Sequence, residues 1–116
     1  MELMLLEYHH PGESPVLAGF FLLSSQFSEL EFRVRGEWPE VLDPVDREYL
    51  ERVDETFRSF QRDMGNTGLL KFLEQNLSNL LRVSSRLKLN HDAVPIAQVA
   101  DRLAEVLLSP PAARLD

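Results

Sequence analysis

The longest ordered pattern of apolar and polar positions runs from residue 43 to about residue 88. In its first half Tyr49, Leu50, Val53, Phe57, Phe60 and Met64 recur mostly at steps of three and four. Such spacing draws one apolar stripe down a helix. Asp43 suits the N-cap, Pro44 the first helical position, and Asp46 places negative charge in the first turn. Glu48 precedes Arg52 by four residues, as Asp54 precedes Arg58. That order supports an exposed helix by about 0.2–0.5 kcal/mol per pair. Gly65 supplies a stop that tolerates positive φ.

A second helix is predicted from Asn66 or Thr67, with Leu69, Leu70, Leu73, Leu77, Leu80 and Leu81 as its stripe. Its polar side reads Lys71, Gln75, Ser78, Arg82 and Arg86. The link over residues 65–68 is short, so the two helices form an antiparallel hairpin over 43–88. Residues 40–63 hold eight acids and four bases, and residues 71–88 hold four bases and one acid. Opposite charge on the two rims favours the pairing. Residues 82–89 also alternate with period two, as a strand would. The unbroken polar stripe from Lys71 to Arg86 favours helix there.

The pattern changes period toward the N-terminus. Residues 2–8 read as a short strand, closed by a turn at Pro11 and Gly12. Residues 16–23 are a continuous apolar run of strand length, the pattern of a strand buried on both faces or of one with a face in a dimer contact. Gly19 inside it suggests a bulge or a close backbone approach. After a loop over 24–28, Leu30, Phe32 and Val34 alternate with Glu31, Arg33 and Arg35. That is a strand with one wet face. Residues 2–35 therefore form an antiparallel meander. A third helix is expected over 95–108, burying Ile96, Val99, Ala100, Leu103, Val106 and Leu107, and Pro110 and Pro111 end it. Residues 109–116 are a tail. The expected fold is α+β in a single domain over 1–116: a three-stranded antiparallel sheet followed by three helices packed on one face.

Composition narrows the function classes. A chain of 116 residues with 44% hydrophobic positions can bury a core. The net charge of −7 disfavours nucleic acid and anionic membranes, and suits a basic protein partner. There is no cysteine, which excludes disulfides, thiolate metal sites and cysteine catalysis. No signal-peptide pattern and no membrane-length apolar run is legible, so the expected setting is cytoplasmic.

Three sets of residues are candidates for chemistry or binding. On a strand, Glu7 and His9 project to one face, and with His91 they offer a possible ligand set for a divalent metal. The bland alternative is a pair of turn-proximal histidines, His9 and His10, that bind nothing. Arg82, Ser85 and Arg86 can bind an anion, since arginine presents a fork of donors. Alternatively these arginines pair with nearby helix carboxylates. Phe20, Phe21 and Leu22 offer an apolar dimer contact, and Trp38 either anchors a partner or caps the sheet end. No nucleophile elbow, phosphate loop or His-Glu-x-x-His motif is present. The sequence thus points to a non-enzymatic protein-binding or assembly domain that forms a homodimer and uses no cofactor. The alternative is a small-molecule, anion-binding or metal-dependent enzyme domain using His9, His91, Arg82 and Arg86.

Overall fold

The structure is a computed structural model that describes residues 1–9, 12, 14–24, 29–36, 38, 44–75, 77, 81–89 and 94–108. The elements in chain order are β1 (Glu2–Tyr8), β2 (Val16–Leu23), β3 (Leu30–Val34), α1 (Pro44–Gln75), β4 (Leu81–Val83), β5 (Leu87–Lys88) and α2 (Ile96–Leu107). The strands build one sheet in the order β3-β2-β1-β4, and β5 also pairs with β1. Every pairing is antiparallel.

This corrects the expected three strands and three helices: among the described residues the sheet has five strands, and there are two helical elements, the first bent at Gly65. The reason lies in β1. Leu3, Met4, Leu6 and Tyr8 are all buried, so β1 is an interior strand. Its outer backbone groups need partners, because a buried amide or carbonyl left unpaired is costly. Residues 81–88 supply those partners, and the period-two pattern there prevails over the helical polar stripe. Leu6 opposes Val83 while Leu3 opposes Leu87. Three steps along β1 thus match four along its neighbour, which is a bulge at Ser84, Ser85 and Arg86. Within it the Leu5 amide donates to Ser84 Oγ at 2.9 Å, and the Ser84 amide donates to the Leu5 carbonyl at 2.9 Å.

The helices cover opposite faces rather than one. Met4, Leu6, Tyr8, Phe21, Leu23, Leu30 and Phe32 pack with Leu50, Val53, Phe57, Leu69, Leu70 and Leu73 of α1. Leu3, Phe20 and Leu22 pack with Ile96, Val99 and Ala100 of α2. Strands apolar on both faces need a layer on each side. Rings of Phe21, Phe32 and Phe57 meet at 5.5, 5.5 and 6.1 Å at the centre of the α1 layer. Among the described residues no helix is long and apolar enough to cross a membrane.

The expected reversal at Gly65 is present inside α1, but its second arm ends at Gln75 instead of running to residue 88. Gly65 sits inside it at φ 75° and ψ 177°, a region open in practice only to glycine. The rings of Phe60 and Phe72 stand 4.6 Å apart. On a straight helix those positions would lie about 18 Å apart along the axis, so the chain doubles back at Gly65. Two expected members of the buried stripe, Tyr49 and Met64, are 44% and 46% exposed instead. On α2 the expected core residue Val106 is 75% exposed. The N-cap expected at Asp43 and the tail over 109–116 lie outside the described residues.

Gly19 explains itself. Leu6 opposes Gly19 but Glu7 opposes Leu17, so Ala18 is an extra residue in β2. The Arg35 amide takes up the Ala18 carbonyl at 2.7 Å, and Arg35 Nε the Leu17 carbonyl at 3.1 Å. A Cβ on Gly19 would collide with the Arg33 carbonyl oxygen and stand 3.0 Å from Val34 Cα. Both are backbone atoms of β3 and cannot swing aside. Gly19→Ala should therefore lower unfolding stability by about 1–3 kcal/mol. Gly36→Ala, where a Cβ would meet nothing within 4 Å, should stay within about 0.5 kcal/mol. Urea unfolding of both variants checks this, and equal midpoints would remove the close-approach argument.

Candidate functional site

The sheet brings two of the expected sites together. Glu7 on β1 directly opposes Arg82 on β4, so their side chains share a face. His9 Nε2 and Glu7 Oε1 stand 3.2 Å apart. Leu3 on the same side of β1 packs beneath α2. Glu7, His9 and Arg82 therefore lie on the α2 face, at the end near Tyr8. The third expected metal ligand, His91, lies outside the described residues. Among the described residues no group of three or more acids and histidines is placed to hold a metal ion.

The expected anion site divides. Arg82 is exposed. Arg86 turns to the other face, where Nη2 reaches Glu74 Oε2 at 3.1 Å and Nη1 stands 3.6 Å from Glu2 Oε1. Two carboxylates thus occupy the Arg86 guanidinium. Ser85 takes part through its carbonyl, which accepts from Ser84 Oγ at 2.9 Å. Arg82, Ser85 and Arg86 do not converge as a three-residue anion cradle. A hollow of about 350 Å³ beside Arg82 is also lined by Glu74, whose charge opposes an anion.

Phe20, Phe21 and Leu22 have no exposed surface at all. Phe21 faces α1, and Phe20 and Leu22 face α2. The apolar run is consumed by the two helix layers of its own chain and leaves nothing there for a second copy. Trp38 is also buried, edge-on to Tyr8 at 6.1 Å. Its Nε1 has no hydrogen-bond partner among the described residues. Beside it the Tyr8 hydroxyl donates to Asp46 Oδ2 at 2.9 Å, which ties the end of β1 to the first turn of α1.

The surface missed by residue-type reasoning is the sheet's edge. One edge, β4 with β5, is short and bulged. The other, β3, is an unbroken five-residue strand that, among the described residues, pairs only with β2. Its side chains are held from both layers. Arg58 lies over the Phe32 ring at 4.8 Å. Arg33 Nη2 reaches Asp101 Oδ1 of α2 at 2.8 Å, and its Nη1 reaches Glu31 Oε1 at 3.0 Å. Burial works to depress the Arg33 pKa, but the bonds and charges of Asp101 and Glu31 outweigh it and hold the pKa above its ordinary value. Arg33 is accordingly a permanent cation on this edge. A shallow groove of about 500 Å³ runs beside it, lined by Arg33, Arg35, Gly36, Ala104, Glu105 and Leu108. The alternation of Leu30, Phe32 and Val34 was the legible signal for the strand, but its edge position depends on where β1 and β4 pair.

The two arginines make a direct comparison. Arg86→Met should cost about 1–3 kcal/mol, because Glu2 Oε1 is buried and would lose its cation. Arg82→Met should change stability by under about 0.5 kcal/mol. Equal losses in urea unfolding would contradict the assignment of Arg86 as a structural tie. Comparison with known proteins leaves these arguments to stand by themselves: no family model, no curated protein and no solved structure matches the chain.

Proposed function

We propose that this chain is a non-enzymatic protein-binding module that works by assembling with a second copy of itself. The observation that carries the reading is the inequality of the two sheet edges. β3 offers five regular residues with no strand beyond them among the described residues, whereas β4 and β5 are interrupted by a bulge. An open regular edge presents a row of backbone donors and acceptors, and strand addition uses them. Closed two-fold pairing is the commonest way for a chain to satisfy such an edge with a copy of itself. The net charge of −7 suits a further, basic protein partner on the assembled dimer.

The dimer contact moves in this reading from the side chains of β2 to the backbone of β3. Native mass spectrometry of the untagged protein over a wide concentration range tests it. A dimer whose share rises with concentration is the expected result. A monomer at every concentration, including the highest that stays soluble, would remove the reading.

A further inference from the structure

Resting on the self-assembly reading, we infer that two copies pair through β3 in one register, antiparallel and centred on Phe32. The backbone already selects which residues can take part. The Ser24 amide donates to the Glu29 carbonyl at 3.0 Å, and the Arg35 amide donates to the Ala18 carbonyl at 2.7 Å. Antiparallel ladders alternate between inward and outward groups. Glu29, Glu31, Arg33 and Arg35 therefore direct their backbone groups to β2. Leu30, Phe32 and Val34 direct theirs away from the sheet. Two side-chain bonds to β3 carbonyls fit this assignment. Gln61 Nε2 donates to the Leu30 carbonyl at 3.0 Å, and Arg33 Nη1 donates to the Phe32 carbonyl at 2.8 Å.

The side chains select the register. Centred on Phe32, antiparallel pairing sets Leu30 against Val34 of the second copy. It sets Glu31 against Arg33 and Glu29 against Arg35, and the two-fold axis repeats each pair. Opposite charges facing across a strand pair stabilise it, and like charges destabilise it. The neighbouring registers that keep the outward groups paired are centred on Glu31 or on Arg33. The first sets Glu31 against Glu31, and the second sets Arg33 against Arg33. Charge thus favours one alignment over its two alternatives. The apolar positions agree with it, since Leu30 and Phe32 are buried on the α1 side and Val34 is partly so.

Gln61 and Arg33 act as removable covers. In the single chain they satisfy the Leu30 and Phe32 carbonyls. In the dimer the backbone amides of the second copy take over, and both side chains swing to other partners. Arg33 retains Asp101 and Glu31 for its other donors. Gln61 retains Asn66, whose Oδ1 it already reaches at 2.9 Å. Each carbonyl exchanges one donor for another, so the covers slow strand pairing without forbidding it. They also discourage random strands that lack the charge match.

The test is a charge exchange read by native mass spectrometry and analytical ultracentrifugation. Glu31→Arg and Arg33→Glu should each weaken the homodimer about tenfold or more. Mixing the two variants should restore a dimer, and its mass should be that of the heterodimer. Circular dichroism confirms that each variant is folded. Amide exchange on the unaltered protein gives a second reading that needs no variant: the Leu30, Phe32 and Val34 amides should slow as concentration rises. A dimeric wild type with both variants equally dimeric, or with those three amides indifferent to concentration, would overturn the β3 pairing and leave self-assembly standing elsewhere. A wild type monomeric at every concentration would overturn both.

Discussion

The constraint on which the structure depends is that β1 and β2 are apolar on both faces. A strand of that kind cannot stand at the surface, and a helix on one side alone would leave half of it in water. The chain answers with α1 on one face and α2 on the other. Met4, Leu6 and Phe21 turn to the first layer, and Leu3, Phe20 and Leu22 turn to the second. The same demand acts in the plane of the sheet. β1 is interior, so it needs a neighbour on each side, and β4 with β5 provide the second one. Placing β1 and β2 at the centre pushes β3 outward and makes it the edge.

Local devices then fit around that arrangement. The bulge at Ala18 lets the edge strand approach β2 so closely that only glycine fits at position 19. Gly65 lets α1 reverse, which brings both of its arms onto one face. The bulge at Ser84, Ser85 and Arg86 breaks the far edge, and Arg86 holds it through Glu2 and Glu74. Charged residues divide by role. Arg33 joins α2 to the sheet through Asp101, whereas the pairs of Glu48 with Arg52 and Asp54 with Arg58 are exposed and contribute little.

These features also account for how the candidate chemistry is distributed. Glu7 and His9 meet because they are two apart on one strand, and Arg82 joins their face through register. Arg86 is only four residues from Arg82, yet the bulge sends it to the opposite face. A single extra residue therefore separates two arginines that look like a pair in the sequence. The proposed assembly surface is the β3 edge, whose outward backbone groups have no neighbouring strand among the described residues.

The sequence by itself determined the elements whose period is local and unambiguous. The three N-terminal strands, the helical run after Pro44, the break at Gly65 and the last helix all follow from spacing and from glycine or proline chemistry. It also marked Gly19 as a special position and the 16–23 run as a strand that could be buried on both faces. Only the tertiary structure decided between patterns that are locally equivalent. Residues 82–89 satisfy both a helical stripe and a strand alternation, and the unpaired side of β1 breaks the tie. Tyr49, Met64 and Val106 belong to the same apolar patterns as their buried neighbours, but they remain exposed. Periodicity reports which side of an element is apolar; how much of that side finds a partner depends on the size and order of the sheet, which no single segment encodes.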